Sequence, residues 1–294
     1  MRTTVATAAV LALALCAAPA SAADTEILMV HGHGSSEQGK DCNGGTWRDA
    51  LRYYQDAGGR ERSSMTTIGY YPGDKGRCDV MIGDGKASNE RPIQDIARDL
   101  AIYIDDAYTS KGRPVNVIAH SMGGLVTRVA LLGSAQGWDG FPSRRLNVDN
   151  VVTLSTPHQG VANPSADNDR QWEQMAPDSG FLKRLHENGS GLGDGWANGT
   201  DWTLVGSKED GTVRYPSGID KGAHADQKLG YQDDPGDSGD VDHTGIRTLH
   251  GENKYDLTYL HAAGDHPTHH TENGWSPLKT ALQAATKVGD GLPK

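Results

Sequence analysis

Phenylalanine occurs only twice in the 294 residues, and aromatic side chains make up 6% of the chain. That leaves too few flat rings for a wide base-stacking surface. Positive charge is also in deficit, with 28 Lys and Arg against 38 Asp and Glu and a formal net charge of −10. A protein built to grip nucleic-acid phosphates needs the opposite balance. No apolar run is long enough to span a bilayer, and the mean hydropathy is −0.59. Heptads and repeat periods are missing, which removes coiled coils and solenoids. The 36% hydrophobic content still suffices for a core.

Cysteine is scarce as well, at three residues. Cys16 falls in an N-terminal segment with Arg2 as its positive start, an apolar stretch from Val10 to Ala18, and the small-x-small triplet Ala20-Ser21-Ala22. This pattern predicts a signal peptide over 1–22, a mature chain from Ala23, and export to the extracellular space. Leu15 is too bulky for a lipidation site at Cys16. Cys42 and Cys78 remain, both in Gly-rich stretches. In an oxidising compartment the simplest reading is one disulfide between them, and two inert thiols are the alternative. The bridge would enclose 35 intervening residues and contribute on the order of 3–4 kcal/mol.

Short apolar runs alternate with helical patterns. Strands are expected at Glu26–Val30, Ser64–Tyr71, Val115–Ala119, Val148–Leu154 and Trp202–Val205. Thr46 is positioned to cap a helix from Trp47 to about Ala57. Pro92 stands at the start of another, whose Ile93, Ile96, Leu100 and Ile104 fall on one face. Met122–Leu132 forms a third. Alternation of this kind predicts a mostly parallel sheet with helices on both faces, in a single domain over 23–294. Ligand sites in such sheets lie beyond the carboxyl ends of the strands.

Residues 160–200 and 214–275 are rich in Gly, Asp, Asn and His and have weak periodicity. The first stretch reads as a cap or lid, or as an ordinary surface excursion. The run Asp233–Asp240 could hold a structural calcium ion through its carboxylates. It lacks the twelve-residue loop grammar of a specific site, so a solvated acidic loop is the simpler reading.

The strongest chemical signal is Ala119-His120-Ser121-Met122-Gly123-Gly124. A strand runs into Ser121 and a helix starts at once, which pushes the hydroxyl out at a strained turn. Ala119 and Gly123 are small where the strand and helix backbones converge. The Met122 N–H, at the helix start, is placed to hold an oxyanion. The partner donor belongs on the loop after an earlier strand, where Val30-His31-Gly32-His33-Gly34 offers the backbone N–H of His33. The His120 ring is expected to point away from Ser121. A metal bound by the His31 and His33 rings alone is disfavoured.

These motifs resemble the α/β-hydrolase superfamily and, within it, the small secreted bacterial (class 2) lipases. The elbow Ala-His-Ser-Met-Gly-Gly, the loop His31–Gly34 and the segment Leu154-Ser155-Thr156-Pro157-His158-Gln159-Gly160 carry the resemblance. It covers residues 24–160 well and the remainder loosely. It implies an α/β-hydrolase fold and the chain order serine, acid, histidine. Asp210, in Asp210-Gly211-Thr212-Val213, is similar to the acid turn of such lipases, and Glu209 is its competitor. Val241-Asp242-His243-Thr244-Gly245-Ile246 resembles their histidine loop, which selects His243. His224 is second, and the cluster from His261 to His270 reads as a surface or weak metal patch. The expectation is a monomeric, secreted serine hydrolase that cleaves acyl esters with no cofactor and no metal at the reacting centre. Lipids are the foremost substrate class. A non-lipolytic esterase, a polyester depolymerase and a silent binding protein are the alternatives.

Overall fold

The computed structural model describes residues 25–233, 240–251, 254–261 and 268–286. The segment read as a signal peptide and residues 234–239 of the acidic run lie outside these.

Nine strands form one sheet in the order β3-β2-β1-β4-β5-β6-β7-β8-β9. The chain lays down β1 (Ile27–Val30), α1 (Arg48–Asp56), β2 (Met65–Gly69), β3 (Val80–Met81), α2 (Ile93–Ala107), β4 (Val115–His120), α3 (Met122–Gln136) and β5 (Val148–Leu154). Then come α4 (Arg170–Gln174), α5 (Gly180–Leu185), β6 (Asp201–Ser207), α6 (Tyr215–Gly218), β7 (Gln227–Tyr231), β8 (Tyr255–His261), β9 (His269–Gly274) and α7 (Pro277–Thr286). Neighbours from β3 through β7 pair in parallel, and β8 and β9 are antiparallel additions at one edge.

Parallel strands covered on both faces are near-continuously apolar, and every residue of β1 and β4 is buried, Asn116 and His120 of β4 included. One face of the sheet packs against α2 and α3. The expected face of α2 is buried there through Ile93, Ile96, Leu100 and Ile104. The opposite face carries Trp47 and Tyr54 together with Leu278, Ala281 and Leu282 of α7. Residues 160–200 contribute Met175, Phe181, Leu182, Leu185 and Trp196 to the α2–α3 side. Among the described residues, no helix is long and apolar enough to cross a membrane.

Local differences from the sequence reading have local causes. Thr46 does not cap a helix. Thr46 and Trp47 instead donate to the carbonyls of Asp41 and Cys42 in one wide turn, and α1 begins at Arg48. The Cys42–Cys78 bridge ties that turn to the loop preceding β3. Residues 214–275, where the sequence shows only weak periodicity, contain α6 and three strands. Gln227-Lys228-Leu229-Gly230-Tyr231 is buried although it shows no apolar alternation. Strand β9, His-His-Thr-Glu-Asn-Gly, is polar because its side chains are mostly exposed.

Candidate active site

Strands β1 and β4 are neighbours in the sheet although separated in sequence. The connections to β2 and β5 leave them in opposite directions, and a crevice forms at such a reversal of strand order. The residues that follow them are His31–Gly34 and Ser121.

Ser121 has φ 56° and ψ −132°, a left-handed conformation that costs a non-glycine residue of order 1–3 kcal/mol. The surroundings enforce it. Thr156 Oγ1 donates to the Ser121 carbonyl at 2.9 Å, and the Ser121 N–H donates to Leu154 O at 2.9 Å. A side chain at Gly123 would collide with the carbonyls of Val30 and His31, so α3 seats only because that residue is glycine. Gly32 is equally constrained: an added Cβ would sit 2.6 Å from Ser121 Cβ and 3.0 Å from its Oγ. The loop after β1 therefore lies directly against the serine.

His243 Nε2 is 3.1 Å from Ser121 Oγ, and its Nδ1 is 2.8 Å from Asp210 Oδ2. The other carboxylate oxygen, Oδ1, accepts the N–H groups of Thr212 and Val213 at 2.8 and 2.9 Å. Burial pushes the Asp210 carboxyl up, but the His243 hydrogen bond and charge and the Val213 N–H outweigh it and hold the group below its usual value. The Asp-Gly turn thus keeps Asp210 ionised and aimed at the ring. Glu209, the rival acid, points elsewhere and accepts the Val241 N–H at 2.6 Å. Asp210 fixes the imidazole while Glu209 fixes the start of its loop.

His120 points away from Ser121 and supports His243 from behind. Its Nε2–H donates to the His243 carbonyl at 2.7 Å, with ring centroids 4.7 Å apart. Burial first, and then the neighbouring His243, drive its pKa far down, so it stays neutral. The loop bearing His33 is clamped from three sides. His31 Nε2–H donates to Asp74 at 2.9 Å, and its ring stacks on Tyr70 at 4.2 Å. Tyr70 Oη donates to the His31 carbonyl at 2.8 Å. Asn89 accepts the Ser36 N–H and donates to Gly34 O, each at 2.9 Å, while His33 Nε2 reaches Asp169 at 2.7 Å. Asp169 also caps α4. The sequence reading missed Asp74, Asn89 and Asp169, because no short motif marks polar groups that meet across long separations.

The remaining candidates are elsewhere. His224 is half-exposed and 4.0 Å from Asp226. His250 stacks on Tyr53. His270 donates to Asp256 at 2.7 Å, and His269 stacks on Tyr259. Two described groups have donor sets that could hold a metal. In His31, Cys42 and Cys78 the sulfurs are bonded to each other. In His33, Asp167 and Asp169 the first and last already satisfy each other.

The sheet order, the strained strand–helix turn and the partners of Ser121 define an α/β-hydrolase fold. More narrowly, the chain belongs to the PGAP1-like alpha/beta domain family, whose profile matches residues 24–177. Among solved structures it is similar to Aspergillus fumigatus lipase B, at 17% identity and a TM-score of 0.45 over 69% of this chain and 42% of that one. It thus spans about two fifths of that protein's length. It is also similar to mature Bacillus licheniformis lipase BlEst2, at 18% identity and TM-score 0.43 over 66% and 69% of the two chains. The product of Listeria innocua gene lin2722 aligns at 16% identity and TM-score 0.42, over 77% and 89%. At these identities the likeness concerns the chain fold and no more. No curated protein sequence matches the chain.

Proposed function

We propose that this protein is a secreted serine hydrolase cleaving carboxylic esters, a lipase or esterase acting on acyl lipids. One observation carries the reading: the hydrogen-bonded series from Asp210 through His243 to a serine held at positive φ beside a glycine loop.

The chemistry follows from that series. His243 Nε2 removes the Ser121 proton as Oγ attacks the ester carbonyl carbon. Asp210 holds Nδ1–H toward itself, so Nε2 is the free base, and it stabilises the imidazolium that forms. The carbonyl oxygen becomes an oxyanion and takes the N–H groups of Met122 and His33. Met122 is the first residue of α3, where N–H groups have no intrahelical partner. Each such donor contributes about 10²–10³ in kcat. His243 then protonates the leaving alkoxide and the alcohol departs. Water attacks the acyl-enzyme by the same route and releases the acid. Neither a cofactor nor a metal is required by these steps.

A fluorophosphonate should label Ser121 in the wild type and leave Ser121→Ala unlabelled. Nitrophenyl ester turnover should fall to background in Ser121→Ala and by several orders of magnitude in His243→Ala, because the three groups act as a unit. A silent binding protein would not label. A chain-length series of nitrophenyl esters, soluble and emulsified, separates a lipase from a non-lipolytic esterase.

A further inference from the structure

An oxyanion donor must keep its N–H free and aimed. No acceptor among the described residues takes the His33 N–H. Its direction depends on how the peptide between Gly32 and His33 is held. At one end Gly32 O lies 3.0 Å from Tyr70 Oη and 2.8 Å from His31 Nδ1. At the other end the hold is the His33 ring, because Gly32 and Gly34 on either side leave the backbone the most freedom. His33 Nε2 lies 2.7 Å from Asp169 Oδ2, and the two side chains are only 12% and 10% exposed. The ring also packs against the Trp172 indole, with centroids 5.4 Å apart.

Asp169 uses its two oxygens for two tasks. Oδ1 accepts the Trp172 N–H at 2.8 Å, and that bond alone caps α4. Oδ2 faces the loop and accepts from His33 Nε2–H at 2.7 Å and from Asn89 Nδ2 at 3.0 Å. The other hydrogen of Asn89 Nδ2 goes to Gly34 O. Both hydrogens of that amide are thus spent, so the proton between the ring and the carboxylate sits on Nε2. A serine would cap α4 as well without placing a carboxylate in so dry a position. The second oxygen has its reason in the loop it holds. Helix α4 is itself firmly mounted on the segment that leads into α2. Gln171 accepts from Tyr71 Oη and donates to Ser88 O and Arg91 O at 2.8 and 3.0 Å. Gln174 Oε1 accepts the Ile93 N–H at 2.8 Å.

We infer that Asp169 is a positioning residue of the oxyanion hole: through the His33 ring it aims the His33 N–H at the carbonyl oxygen, and α4 is the brace behind it. The inference rests on the ester-hydrolase reading and deepens it, giving the start of the 160–200 stretch a part in the reaction. The oxyanion exists only once Ser121 Oγ has bonded to the carbonyl carbon. A well-aimed N–H is therefore worth more in the transition state than in the bound ester, and its loss falls on kcat far more than on KM.

The test uses the full chain on nitrophenyl butyrate and separates the two oxygens of Asp169. Asp169→Ser keeps a cap for α4 and removes the acceptor for His33, whereas Asp169→Ala removes both. In Asp169→Ser kcat should fall about ten- to a hundredfold with KM within about threefold. Asp169→Ala should match it in kcat and have the lower Tm. His33→Ala keeps the backbone N–H and loses the ring, and its kcat should fall as far. The double variant Asp169→Ser/His33→Ala should be no slower than the slower single, because the two side chains act as one unit. Affinity for butylboronic acid, whose tetrahedral adduct on Ser121 needs the same donors, should fall in step with kcat. The inference is overturned if Asp169→Ser has wild-type kcat, which leaves only the cap, or if the two single losses multiply in the double variant. Should Asp169→Ser fail to fold, His33→Ala decides the matter with the cap in place, and wild-type kcat there overturns the inference. Absence of turnover in the wild type, with no fluorophosphonate label at Ser121, overturns the hydrolase reading and the positioning role together.

Discussion

Gly32→Ala is the smallest change that should disable the site without touching a reacting group. The new Cβ would lie 2.6 Å from Ser121 Cβ, 3.0 Å from Oγ and 3.1 Å from the His120 carbonyl, where ordinary contact begins at 3.4 Å. None of these neighbours can give. Ser121 is held by Thr156 and by the end of β5, and the His120 carbonyl belongs to β4. The loop must retreat instead, by roughly 1 Å, and the His33 N–H moves with it. Misplacement of that size costs about 10²-fold in rate, similar to losing one oxyanion donor. We therefore expect kcat on nitrophenyl butyrate to fall about a hundredfold with KM changed far less. Stopped-flow or steady-state kinetics measure this, with calorimetry run in parallel to show that the variant is folded at the assay temperature. A folded Gly32→Ala protein with kcat within about fivefold of wild type would refute the placement of the oxyanion against this loop.

Reducing the Cys42–Cys78 bridge, or replacing both residues with serine, should remove about 3–4 kcal/mol and lower Tm by roughly 6–16 °C in a calorimetric scan, with little loss of room-temperature activity. Asp220→Asn strands the fully buried Arg128, whose Nη1 lies 3.1 Å from Asp220 Oδ2, and urea unfolding should show a loss of about 3–5 kcal/mol. His186 donates to Asp220 at 2.9 Å, and this bond raises its pKa above the usual histidine value. Its stabilising effect is therefore complete below the unfolded-state pKa of about 6.5 and is lost as pH rises through the raised folded value. A stability–pH curve of His186→Gln should converge with that of the wild type at alkaline pH and fall below it at mildly acidic pH.

The amino-terminal half of the fold was legible because its parallel strands are buried on both faces and so read as plain apolar runs. Ser121 was legible for a related reason. A strand, a serine and a helix packed this tightly demand small residues at Ala119 and Gly123, and that demand is written locally. Asp210 and His243 rested on resemblance, and the structure brings those two residues and Ser121 together. What could not be read follows from geometry. Gln227–Tyr231 is buried by a polar sequence because Lys228 Nζ finds the Asp220 carbonyl at 2.7 Å and Gln227 takes the Thr203 hydroxyl at 2.6 Å. Strand β9 is held by backbone pairing with β8 at an exposed edge, where side-chain periodicity carries no information. The Asn89 and Asp169 supports meet His33 from 56 and 136 residues away, which no local pattern records.

Glu209 and Asp210 are adjacent at the end of β6, yet one holds Val241 and the other His243. The ring position is thus surveyed from a fixed benchmark on the sheet, not from the length of chain that leads up to it. A change at Glu209 therefore reaches the ring through the start of its loop, while a change at Asp210 reaches it directly.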